Sequence, residues 1–186
     1  MSVYIGARDL SGVPLGTHQF IVLHFSEPQF PIHTSGMVYH TKYLGDGHYG
    51  VVIGAQNRGS LVVEIAEKGD LLATREYFGA ANTSIFKPDF SSQLRLVDYG
   101  TVPDAEAKRR VMQSATNFRL NQAISPIPYP FMGLGYNSNS FVQSLIRHSG
   151  GNVDTNMNGW DVSHDKVIPK TYFEAQCPVK PRPTLN

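Results

Sequence analysis

The spacing of apolar positions changes along the chain and separates a strand-like first half from a helical second half. Residues 18–25 (His-Gln-Phe-Ile-Val-Leu-His-Phe) are rich in β-branched and aromatic side chains and predict a central strand. A proline-containing stretch over 26–32 breaks the pattern, and residues 37–43 predict a short edge strand. Apolar runs at 49–56 and 60–66 flank Asn57-Arg58-Gly59, a turn signal that predicts a hairpin. A further strand is expected at 93–98. Residues 79–92 carry turn formers with no clean period and read as a long loop. From Pro103-Asp104 the period becomes helical and runs to about residue 123, with Val111, Ala115, Phe118 and Ile124 as its apolar positions. Three prolines then force 125–130 into an extended course. A last helix starts at Ser138 behind Asn137 as N-cap. It carries Phe141, Val142, Leu145 and Ile146 at helical spacing and stops at Gly150-Gly151. Strands first and helices after predict an α+β fold, a small antiparallel sheet packed against helices. It is read as a single domain over 1–186 with a proline-rich tail from 178.

Composition narrows the classes without naming one. At 186 residues, 41% hydrophobic and 17% charged, the chain has the make-up of an ordinary globular domain. A formal net charge of +1 gives no reason to expect nucleic acid or an anionic membrane surface as partner. No apolar run approaches the roughly 20 residues that span a bilayer. The amino terminus lacks the basic start and apolar run of a signal peptide, so synthesis in the cytosol and any export by a signal-independent machine are expected. One cysteine, Cys177, excludes an internal disulfide and a CxxC metal site, and it reads as an incidental thiol. His24, His33, His40 and His48 lack HExxH spacing and cysteine help, so no metal site is expected. Lys108-Arg109-Arg110 reads as the solvated face of the long helix.

The candidate chemistry lies at the start of the last helix. There, free backbone N–H groups and the helix dipole favour a developing anion, and a thiol at position 138 would be a competent nucleophile. This chain has Ser138 instead. His18, at the mouth of the most hydrophobic strand, is the best base. An antiparallel neighbour would bring Gln56 or Asn57 towards it as an orienting group, Gln56 being preferred, with Glu64 and His48 as fallbacks. Tyr129, Phe131 and Tyr136 are candidates to line a cleft. The plainer readings are an N-capped amphipathic helix at 137–141, a histidine satisfied at a strand end, and an ordinary hairpin residue at 56.

Thr17-His18-Gln-Phe-Ile-Val-Leu23 before a hairpin, with Asn137-Ser138-Asn139-Ser140-Phe141 opening a late helix, resembles the circularly permuted papain-like hydrolases of the NlpC cell-wall peptidase superfamily. The branch in question includes lecithin retinol acyltransferase-like proteins. The closing residues 158–161 and 168–169 fit stand-alone bacterial members. The resemblance implies a papain-like fold with the histidine strand before the nucleophile helix, and hydrolysis of an amide bond in peptidoglycan peptides. It assigns Ser138, His18 and Gln56 as catalytic residues, with Asn137 and Tyr136 towards the substrate and no cofactor or metal. It also implies an antibacterial effector, such as one of a type VI secretion system. Such an effector would act in the target-cell periplasm, with a secretion-system carrier and a cognate immunity protein as partners. Family members carry cysteine where Ser138 stands. An engineered change, a natural loss of activity and a true serine nucleophile are the three origins open for it, and turnover with serine is expected to be severely reduced. The alternatives are a thioesterase or acyltransferase acting on lipid, and a non-catalytic phage- or secretion-associated binding module.

Overall fold

The computed structural model describes residues 2–10, 16–79, 92–129, 135–152 and 166–176. Its strands are β1 (Val3–Asp9), β2 (Thr17–Phe25), β3 (Ile32–Thr34), β4 (Met37–Tyr39), β5 (Lys42–Gly45), β6 (His48–Asn57), β7 (Leu61–Ile65) and β8 (Ser92–Leu96). Its helices are α1 (Lys68–Tyr77), α2 (Asp104–Ile124) and α3 (Ser138–Ser149), followed by a short 3-10 turn at Lys170–Tyr172. Six strands form one antiparallel sheet in the order β5-β6-β2-β1-β8, with β7 also paired to β6, while β3 and β4 form a separate hairpin. The chain is therefore α+β. Among the described residues no helix is long and apolar enough to cross a membrane.

Side chains alternate across the sheet, so each strand serves two layers. Odd positions of β1 and β2 (Val3, Ile5, Ala7, Ile21, Leu23, Phe25) join Val111, Phe118, Phe141 and Leu145 in the main core beneath α2 and α3. Even positions of β2 (Phe20, Val22) join Leu44, Ala73, Phe78 and Leu94 in a smaller core beneath α1. Phe118 and Phe141 meet edge to face with centroids 4.8 Å apart, locking α2 to α3. Each such buried ring stabilises the fold by about 1.5–3 kcal/mol. Asp46-Gly47 joins β5 to β6 with positive φ at both residues (46° and 79°), the geometry of a two-residue hairpin turn.

The predicted strands at 18–25, 49–56 and 60–66 and both predicted helices are present with boundaries shifted by a few residues. Residues 37–43 fall in two strands, β4 and β5, and the expected strand at 93–98 spans Ser92–Leu96. The structure adds β1, β3, α1 between β7 and β8, and the 3-10 turn at Lys170–Tyr172 to the elements expected from the sequence. The core of the predicted 79–92 loop, Phe131, residues 158–161, Cys177 and the tail from 178 lie outside the described residues.

Candidate functional site

The amino end of α3 is built as the sequence predicts. Asn137 has extended backbone angles, and its side-chain oxygen accepts the N–H groups of Asn139 and Ser140 at 3.0 Å each. Ser140 Oγ accepts the Asn137 N–H at 2.7 Å, which closes a reciprocal capping box. Gly150 ends the helix in the left-handed region (φ 92°), where its N–H reaches the Ile146 and Arg147 carbonyls. Ser138 occupies the first helical position and is 2% exposed; its hydroxyl donates to Asn139 Oδ1 over a long 3.4 Å.

Asn139 ties this end to the sheet. The β2–β6 pairing has its last partners at Phe20 and Gly54. At the next position the Gln19 N–H donates to Asn139 Oδ1 (2.8 Å), so a helix side chain continues what β6 leaves off. Asn139 Nδ2 donates to Thr17 Oγ1 (3.2 Å), and Gln143 Nε2 donates to Gln19 Oε1 (3.0 Å). Buried polar atoms must find partners, and here α3 and β2 supply one another's.

His18 belongs to the other layer. It follows the even positions of β2, lies roughly parallel to the Phe20 ring, and meets Asp70 of α1. Its Nε2 is 3.1 Å from Asp70 Oδ2 and 3.2 Å from the Gln56 side-chain amide. The Gln56 contact is made by its Nε2: with the ring proton on Nδ1, His18 Nε2 accepts from Gln56, and with the proton on Nε2 it donates to Asp70. Asp70 Oδ1 accepts Arg8 Nε at 2.8 Å, while a second Arg8 nitrogen reaches Glu67 at 3.1 Å. Glu67 also caps α1, accepting the N–H groups of Gly69 and Asp70. The cluster is buried: Asp70 is 0%, His18 2% and Arg8 7% exposed. Neutralised charges and shared hydrogen bonds make such burial tolerable.

Gln56 thus reaches His18 as expected, but His18 turns to Asp70 of α1 while α3, which bears Ser138, packs on the other face of the sheet, and each of the two side chains is 2% exposed. The physical reason is phase. In β2 the side chain that meets α3 is Gln19, one position on from His18. The fallback groups are engaged elsewhere, Glu64 with Arg58 (2.6 Å) and His48 with His24 (2.8 Å). Asn137 is buried in its capping role rather than turned to a substrate, and Tyr136 and Tyr129 pack half-buried against the main core. Lys108, expected to be solvated, is 4% exposed; it donates to the His24 carbonyl (3.0 Å) and lies 4.1 Å over the Phe25 ring. Burial holds its ammonium below the ordinary lysine pKa. Arg109 and Arg110 do lie outward, both paired with Glu106. Among the described residues no three His, Cys, Asp or Glu side chains gather as metal ligands.

Sequence reasoning missed Asp70, Arg8 and Glu67, the groups that fix His18. Two glycines carried a faint signal of them. A Cβ at Gly54 would sit 2.5 Å from Asp70 Oδ2, and one at Gly69 would sit 2.6 Å from Arg8 Cζ. Both positions are kept bare to make room for the ion cluster. Comparison with known proteins finds no family model, no curated protein and no solved structure that matches the chain.

Proposed function

We propose that this chain is a non-catalytic binding module, of the phage- or secretion-associated kind, that keeps a permuted papain-like ground plan without its chemistry. One observation carries the reading: β2 presents Gln19, not His18, to the helix that bears Ser138. A serine needs a base within hydrogen-bond reach to become a nucleophile, because its hydroxyl stays protonated near neutral pH. The imidazole of His18 is committed to Asp70 and Gln56 under α1. Ser138 itself is 2% exposed.

A second reading, a cysteine-type amidase delivered to the periplasm and held in check by an immunity protein, is favoured by the capping box alone. That cap sets residue 138 at the positive end of α3, where a thiolate would be stabilised. This reading requires a base other than His18.

The Ser138→Cys variant separates the two. Incubated with purified peptidoglycan, and with its fold checked by circular dichroism, it is expected to release no peptide fragments detectable by mass spectrometry. Fragment release would overturn the binding-module reading in favour of the amidase. Fatty-acid release from a lipid ester by the same variant would instead support acyl transfer.

A further inference from the structure

A second cluster of chemistry-bearing side chains lies away from the site already described, where His24 of β2 meets His48 of β6. The strands pair so that His24 stands opposite Gly50, which sets His48 two residues along, on the diagonal and on the same face. His24 Nε2 lies 2.8 Å from His48 Nδ1, and the ring centroids are 4.9 Å apart. Both residues are half-buried, so the pair is within reach of solvent. Phe78 at the end of α1 stacks on His24 (centroids 5.0 Å apart, planes within 10°) and leans on His48 at 5.2 Å. Tyr4 meets His24 edge-on at 6.2 Å. These contacts hold the two nitrogens together before any ligand arrives. Two imidazole nitrogens at this distance share one proton, one ring donating and the other offering its lone pair. Burial foremost, then the charge of His48, holds His24 below the ordinary histidine pKa, so at pH 7 its ring is neutral, the form that ligates metals.

The separation selects the ion. Nitrogens at about 2.0 Å from a metal stand about 3.3 Å apart across a tetrahedral angle and about 2.8 Å apart across a right angle. The observed 2.8 Å matches the right angle of a tetragonal site, the geometry of Cu(II) and Ni(II) rather than of zinc. We propose that His24 and His48 form a two-imidazole chelate for a tetragonal divalent ion, Cu(II) foremost. The ion takes the place of the shared proton, which moves to the far nitrogen of the same ring, so both rings stay neutral and no proton is lost. Among the described residues no third His, Cys, Asp or Glu joins the pair, so water completes the coordination. The Lys108 ammonium on the His24 carbonyl (3.0 Å) opposes a second positive charge and keeps the affinity moderate. The site goes beyond the binding-module reading and does not depend on it.

The test titrates the full chain with copper(II) chloride. One equivalent is expected to bind saturably in the micromolar range. The electron paramagnetic resonance spectrum should be tetragonal, with superhyperfine splitting from two nitrogens. In the nitrogen-15-labelled protein, amide signals should broaden first around His24, His48 and Phe78. His48→Gln keeps a hydrogen-bond donor for His24 Nε2, and it is expected to weaken binding at least about tenfold, as loss of even an outer-sphere group does. His33→Gln, at an exposed histidine of β3, should leave binding unchanged. Zn(II) should bind more weakly than Cu(II), as the right-angle bite and the order of divalent affinities both require. Circular dichroism checks the fold of each variant; should His48→Gln not fold, the resonance spectrum and the broadening pattern of the unaltered chain decide. No saturable binding below about 1 mM, a spectrum showing fewer than two nitrogens, broadening centred elsewhere, Zn(II) binding as tight as Cu(II), or a response to His33→Gln equal to that of His48→Gln overturns the proposal. Peptidoglycan cleavage by Ser138→Cys would sink the binding-module reading and leave the chelate standing.

Discussion

Asp70 is wholly buried, yet it answers both Arg8 and His18. Truncation in Asp70→Ala leaves a guanidinium and an imidazole buried with less counter-charge. The expected loss is about 3–5 kcal/mol, as for breaking any buried pair from one side, read as a lowered urea midpoint with unchanged slope. The chemistry around His18 was half legible beforehand. Gln56 could be placed beside it because a hairpin register brings cross-strand neighbours together. The face could not be read, because β2 is apolar on both sides: Phe20 and Val22 are as fully buried as Ile21 and Leu23. A strand covered twice has no polar stripe to set its phase, and one residue of phase decides whether a histidine meets α1 or α3.

At the scale of the element, Asn139 does the work of a strand residue from a helix. Asn139→Ala removes the acceptor of the Gln19 N–H and the donor to Thr17. The expected cost is about 1–3 kcal/mol. Amide exchange at Gln19 should rise well above that of its neighbours Phe20 and Ile21, and unchanged protection there would refute this role. Elements were legible where one local rule dominated: the Asn57-Arg58-Gly59 turn, the capped start of α3, the long apolar period of α2. Of the hidden elements, β1 and α1 both lack a clean apolar period. In β1, Gly6 and Arg8 interrupt the apolar alternation, since a side chain at Gly6 would strike the Phe20 ring and Arg8 serves the ion cluster. In α1 the buried positions are Asp70, Ala73 and Thr74, so the inward stripe is largely polar and leaves no hydrophobic period. Its N-cap is Glu67, outside the usual capping residues.

At the scale of the molecule the layers respond to pH through one histidine pair. His24 Nε2 and His48 Nδ1 lie 2.8 Å apart, and both rings pack on Phe78 at the end of α1. Tyr4 meets His24 edge-on, and Lys108 binds the His24 carbonyl. Burial foremost, then the charges of His48 and Lys108, holds His24 below the ordinary histidine value. The unfolded chain therefore takes up this proton more readily than the folded one, so stability rises with pH. This contribution is intact above the unfolded value of 6.5 and is lost as pH falls through the lower folded value. The melting temperature at pH 5 should lie below that at pH 7.5, and His24→Asn should narrow the difference; an unchanged difference would remove the pair as its source. The order of elements, strands before helices, foretold a sheet with helices against it. It could not foretell that α1 covers the second face, because that depends on a short helix whose anchor is ionic.

The span from Gln19 to Asn139 sets an order on synthesis. A ribosome that has released the first hundred residues has made every strand of the sheet but not the asparagine that completes the margin of β2. Until α3 emerges, the Gln19 amide must turn to water, and the apolar odd face of the sheet lies bare beside it. The nascent chain is most prone to wrong pairing in that interval, and a product stopped short of residue 139 is expected to aggregate rather than fold.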